Sequence, residues 1–273
     1  MSRGTAADVA TCRFDVRSAD GTSLAVWVDG DGPPLVLVHG SLCDHTVFDP
    51  LVQELRDSVT AFSMDRRGFG ASGDAAAYAI QREFEDVAAV VDAVAARTGG
   101  PVALWGHSFG AGCAMGGAAL TTHLHQLVLY EPGLGIAYPP GSIEQVEEAV
   151  AAGDMEAAVV TVLTAILAMT EEDIAATRAS ARWPVLLAAG PTIPRECRAE
   201  HNWTYRPGHF AAITAPTLLL AGSESPPPLR EATRQAAAAI PDPRIRTLHG
   251  HGHLAYRTDP AGVAAIIRQL VAS

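Results

Sequence analysis

Gly106-His107-Ser108-Phe109-Gly110 is a G-x-S-x-G pentapeptide that follows the apolar run 102–105 and precedes a stretch rich in small residues. A serine on a tight strand-to-helix bend carries its hydroxyl outward. A side chain at either flanking glycine would strike the neighbouring backbone. The helix that follows aims N–H groups and partial positive charge at the same oxygen. Gly112, Ala114, Gly116 and Gly117 let that helix lie close to a sheet. The chemistry implied is attack by Ser108 on a carbonyl carbon, with an acyl-enzyme as intermediate. In a chain with 25 glycines the pentapeptide also arises by chance, so its strand-and-helix context gives it its weight.

A nucleophilic serine needs a general base and an oxyanion site. His249, His251 and His253 crowd the segment after the final strand pattern. Gly252 supplies a turn just before His253, which makes His253 the first choice, His251 the second and His249 the third. As a metal set the three are poor, because they sit in a glycine loop with no carboxylate at ligand spacing. No metal or other cofactor is expected. For the oxyanion, the run 35–38 ends in His39-Gly40-Ser41-Leu42. Gly40 permits a sharp turn, and the backbone N–H of Ser41 is expected to point inward with that of Phe109. His39 reads as a ring bracing the loop.

The elements that must position these groups follow from periodicity. Residues 11–28 read as two antiparallel strands around the Asp20-Gly21 turn. The runs 35–38, 59–63, 102–105, 127–130 and 217–221 are short and continuously apolar, as strands buried on both faces are. Residues 244–248 form a weaker last strand. Residues 82–97 repeat apolar side chains three and four apart, as a helix does. The final helix opens with Asp259 as N-cap and Pro260 in its first turn. The expected fold class is α/β, a mostly parallel eight-stranded sheet with helices on both faces. Ligands then bind beyond the carboxyl ends of the strands.

Between 133 and 215 the alternation stops. Helical patterns cover 142–152, 155–169 and 171–179, and a Trp/Pro-rich segment follows. Residues 1–132 and 216–273 are therefore expected to form the core, and 133–215 an all-helical lid. Trp183, Met169 and Leu167 are candidates to touch an apolar acyl or aromatic group.

The segments LVLVHGS, MDRRGFGAS, GHSFG and GHGH, in this order and spacing, resemble the α/β-hydrolase superfamily. More narrowly they resemble its bacterial esterase, perhydrolase and C–C hydrolase branch. The resemblance covers nearly all of the chain outside the insertion. It implies that Asp65, Arg66 and Arg67 lie in a structural loop and brace it. It also implies a triad acid in a G-x-x-D segment after the seventh strand, and here the sequence departs: Gly222-Ser223-Glu224-Ser225 has serine in place of the aspartate. Some haloalkane dehalogenases take the acid from a glutamate after strand six, and Glu131 stands there, followed by Pro132. Glu131 is the first choice for the acid and Glu224 the second, with an acid-free Ser/His pair as a third possibility.

The function expected is hydrolysis of a small or medium hydrophobic ester. Two alternatives stay open: a C–C hydrolase, lyase or cyclase using the same Ser/His pair, and a non-catalytic ligand cup. Bulk properties narrow the field further. The net charge of −11 and the lack of a basic stripe argue against nucleic acid. All 19 basic side chains are arginine, which removes Schiff-base chemistry on lysine. Cys12, Cys43, Cys113 and Cys197 show no CxxC or metal-ligand spacing, and free thiols suit a reducing cytoplasm. Residues 1–10 lack a signal-peptide pattern, and no apolar run is long enough for a membrane span. The expected partner is a small-molecule substrate; oligomeric state is not readable.

Overall fold

The continuous apolar runs become the buried strands of one sheet. A computed structural model describes residues 12–206 and 208–271, so the reading of residues 1–10 and the start of the first strand at 11 lie outside the described residues. The strands are β1 (Cys12–Arg17), β2 (Ser23–Gly30), β3 (Pro34–Val38), β4 (Thr60–Met64), β5 (Val102–His107), β6 (Leu124–Tyr130), β7 (Thr217–Gly222) and β8 (Arg244–Leu248). They form an eight-stranded sheet in the order β1-β2-β4-β3-β5-β6-β7-β8. β2 runs antiparallel to β1 and β4, and every later pairing is parallel. β8 is exposed over Arg244–Thr247 because it is an edge strand, and this is why its apolar signature is weak.

The helices are α1 (Asp49–Leu55), α2 (Ile80–Thr98), α3 (Phe109–Ala118), α4 (Ser142–Ala151), α5 (Met155–Ala165), α6 (Glu171–Arg178), α7 (Trp183–Ala188), α8 (Ile193–Asn202), α9 (Pro227–Ala239), α10 (Ala255–Thr258) and α11 (Pro260–Val271). One apolar cluster joins Val36, Leu104 and Leu219 to α2 and α3. A second joins Leu37, Trp105 and Leu220 to α1 and α11, so both faces of the sheet are covered. α11 begins as its sequence predicts, with Asp259 Oδ1 accepting from Gly262 N at 3.1 Å.

Five helices, α4 to α8, lie between β6 and β7. They pack through a third cluster that includes Ile143, Val159 and Leu186 and reaches Leu42 and Phe69 on the core loops. One detail differs from the sequence reading. α5 stops at Ala165 rather than continuing to 169, and Ala168 has φ 51°, which no helix interior accommodates. The Trp/Pro-rich segment is itself helical: α7 and α8 each carry proline in the first turn, where the ring tolerates helix entry. Among the described residues no helix is long and apolar enough to cross a membrane.

Candidate active site

The chemistry-bearing residues gather beyond the carboxyl ends of β3, β5, β6 and β8. Ser108 lies between β5 and α3 at φ 56°, ψ −126°, a left-handed backbone that non-glycine residues rarely adopt. The bend is fixed from both sides. Ser108 N donates to Tyr130 O, and Ser108 O accepts from Gly133 N, each at 2.9 Å. A Cβ at Gly106 would come within 2.7 Å of Ala111 Cα. One at Gly110 would come within 2.6 Å of Val38 O and still closer to His39 O. The two glycines of the pentapeptide are thus required by backbone on either side.

The loop after β3 approaches the bend closely, since a Cβ at Gly40 would lie 2.9 Å from Ser108 Cβ. His39 Nε2 accepts from Arg66 N at 3.1 Å, so its proton sits on Nδ1, which donates to Gly40 O at 2.8 Å. Burial, followed by the Arg66 charge, pushes the His39 imidazolium down to about 3, which keeps the ring neutral. Arg66 Nη2 donates to Gly40 O as well, at 3.1 Å, and Arg66 Nε to His39 O at 2.9 Å. With the Gly40 carbonyl held by two donors, the N–H of Ser41 in the same trans peptide points the opposite way. Among the described residues neither that N–H nor the N–H of Phe109 has a protein acceptor. Buried Glu83 and Glu196 balance the Arg66 charge at 3.1 and 2.5 Å.

His253 is carried past the end of β8, three strands from β5 and therefore about 14 Å away across the sheet. It returns over β7 and β6. Two buried side chains hold that return: His107 Nε2 donates to His253 O at 2.9 Å, and the Tyr130 hydroxyl donates to Gly252 O. His253 Nδ1 lies 2.5 Å from Glu131 Oε2. The other carboxylate oxygen of Glu131 accepts from Gly222 N at 2.7 Å. Glu131 is fully buried at φ 46°, directly after β6.

Ser108, His253 and Ser41 line one cavity of about 120 Å³. Val162, Leu163, Ile166, Leu167 and Met169 of the insertion form its apolar wall. Glu200 of α8 also faces it. Tyr138 OH donates to Glu200 Oε2 at 2.5 Å, and burial pushes the Glu200 carboxyl up to about 8, so it is mostly neutral at pH 7.

The model of the Alpha/beta hydrolase family matches residues 35–266. The chain belongs to the α/β-hydrolase family. A solved α/β-hydrolase from Sphaerobacter thermophilus superposes with TM-score 0.80 at 31% identity, over 94% of this chain and 99% of that one. An esterase from a Rhodococcus species superposes with TM-score 0.70 at 22% identity, over 96% and 98% of the two chains, a likeness of fold. A curated relative, the 2-(acetamidomethylene)succinate hydrolase of Mesorhizobium japonicum, is 34% identical over 109 residues, 39% of this chain. The match spans 38% of that relative's length.

In this α/β-hydrolase the alternatives weighed from sequence lie elsewhere. Glu224 is exposed and accepts from the Ser223 hydroxyl at 3.0 Å, away from His253. Ser225 is buried with its hydroxyl unpartnered among the described residues. His251 faces Asp259 at 3.5 Å and shares a separate surface hollow with His249. Among the described residues no group of His, Cys, Asp and Glu could hold a metal ion. Leu167 and Met169 line the cavity, whereas Trp183 does not: it is partly buried against the apolar cluster of the helical insertion, with Arg178 over its ring at 5.6 Å. Asp65 braces its loop through Trp27, His45 and the N–H of Ala71, and Arg67 pairs with Asp86 and Asp20. Sequence reasoning missed Glu200, Tyr138, Arg182 and Arg257 at the cavity. No local pattern marks them: Glu200, Tyr138 and Arg182 enter from segments far from the motifs, and Arg257, four residues after His253, stands outside any recognisable spacing.

Proposed function

We propose that the chain is a serine esterase with Ser108 as nucleophile, His253 as general base and Glu131 as the acid that orients it. The observation that carries this reading is a strained Ser108 opening into the same cavity as His253, whose Nδ1 meets the buried Glu131 carboxylate at 2.5 Å. His253 Nε2 takes the Ser108 proton as Oγ attacks the ester carbonyl, and Glu131 holds the Nδ1–H tautomer and steadies the imidazolium. The N–H groups of Ser41 and Phe109 receive the oxyanion, each contributing about 2.7–4 kcal/mol to the transition state. His253 then protonates the leaving alcohol and activates the water that releases the acyl group. No cofactor enters the cycle.

The helices of residues 133–215 act as a lid whose apolar wall accepts a small or medium hydrophobic acyl group; the core is 1–132 with 216–273. The four cysteines are free, three of them buried, and we assign the protein to the reducing cytoplasm. A panel of short- and medium-chain esters assayed with wild type and Ser108→Ala tests the reading. Turnover by wild type with loss of at least a thousandfold in the variant is expected. Equal rates in the two would remove the serine mechanism.

A further inference from the structure

The catalytic cavity adjoins a second, outer hollow, and the two share Cys43, Arg182 and Arg257. Arg182 lies just before α7 in the helical insertion and Arg257 lies in α10 of the core, so the two cations come from opposite sides of the boundary. Several other buried or half-buried arginines are paired, whereas half-buried Arg268 is satisfied by the Glu54 carbonyl. Arg66, Arg67, Arg195 and Arg198 each face a carboxylate within 3.1 Å. Arg182 and Arg257 are half-buried and form no ion pair among the described residues. The Arg182 guanidinium donates to Cys43 Sγ at 3.5 Å, and burial keeps that thiol protonated and neutral. Burial, then the charge of Arg182, lowers the pKa of Arg257, and no carboxylate offsets them. Asp44 and Asp49 line the outer hollow with the two arginines, but among the described residues neither forms an ion pair with them: Asp44 accepts from Thr46, burial raises the Asp49 pKa, and Glu200 accepts from Tyr138.

Two like charges kept partly out of water with no carboxylate paired to either, in a chain of net charge −11, repel each other, and a ligand that brings a paired anion relieves this. A guanidinium fork matches a carboxylate in two parallel hydrogen bonds. We propose that Arg182 and Arg257 form a carboxylate subsite at the edge of the catalytic cavity, selecting esters that carry a free carboxylate beyond the scissile bond. This rests on the serine-esterase reading and names the substrate class of that same site. The apolar wall takes the methylene chain and the arginine pair takes its charged end.

The test compares the mono-para-nitrophenyl ester of glutaric acid with para-nitrophenyl pentanoate, which has the same chain length and no carboxylate. Wild type is expected to favour the acidic ester by about tenfold or more in kcat/KM. The ratio of the two values should fall at least tenfold in Arg182→Gln or Arg257→Gln, mainly through KM for the acidic ester, and recover in part with Lys. Using a ratio cancels any loss of folded enzyme. A wild-type ratio near or below one, or a ratio the substitutions leave unchanged, overturns the subsite. If neither ester is hydrolysed, the esterase reading has failed separately. Calorimetric binding of glutarate to Ser108→Ala then decides the subsite alone: binding lost on adding Arg182→Gln supports it, and no binding overturns it.

Discussion

Both carboxylate oxygens of Glu131 are committed, one to Gly222 N and one to His253 Nδ1. In Glu131→Gln the amide NH2 facing Nδ1 favours the tautomer protonated on Nε2, which cannot accept the serine proton. A fall in kcat on the order of 10⁴ is expected, by analogy with the aspartate-to-asparagine change in other triads. Glu224→Gln, at an exposed residue, should stay within about threefold of wild type, and steady-state kinetics on one ester compares the two. Glu131 enters as a candidate through the resemblance to dehalogenases that place a glutamate after strand six, and its strand-end position before Pro132 supports the choice. Glu200 has no such signal in the sequence. Its neutral state comes from burial where α8 packs over the cavity, against the opposing pull of a hydrogen bond from Tyr138, 62 residues away. Trp183 enters as a cavity candidate from its apolar type within the insertion alone, which does not say whether a side chain packs between helices or faces the cavity.

At the scale of elements, the β5–α3 bend is held against the β3 loop by backbone contact. Gly110→Ala would drive a methyl into the carbonyls of Val38 and His39, which cannot withdraw because β3 is central in the sheet. A loss on the order of 3 kcal/mol in urea unfolding is expected. Arg66 connects the loop to the chemistry by fixing the Gly40–Ser41 peptide. Arg66→Lys keeps the charge and loses the fork. It should lower kcat on the order of tenfold to a hundredfold with little change in KM, as a donor acting on the transition state requires. The central strands were plain in the sequence because burial on both faces leaves continuous runs such as Leu35-Val36-Leu37-Val38. The bounds of α7 and α8 are not legible because short helices of 6 and 10 residues in a Trp/Pro-rich segment carry little periodicity, although helix is expected there.

At the scale of the whole molecule, stability responds to pH through buried groups held neutral. Glu200 has a folded-state pKa of about 8 against an ordinary 4.5. Between those values the folded chain binds more protons than the unfolded one, so this contribution to stability declines as pH rises and levels off above about 8. Buried His39 and His107, both pushed down by burial, act in the opposite sense below about 6.5. In the window from about pH 6.5 to 8 buried Glu83, pushed up to about 7, titrates alongside Glu200, so it is the comparison with Glu200→Gln that isolates Glu200. Across it wild type should lose on the order of 1 kcal/mol relative to Glu200→Gln, measured by urea unfolding at each pH. A constant difference would show that the carboxyl is ionised throughout.

The central claim is that the Ser108 hydroxyl, under His253 and Glu131, is the nucleophile. Incubation with a fluorophosphonate followed by peptide mass spectrometry reads this directly. One phosphonyl adduct is predicted on the peptide containing Ser108, absent from Ser108→Ala and formed far more slowly in His253→Ala. An adduct on another residue, or none in protein that hydrolyses esters, would contradict it.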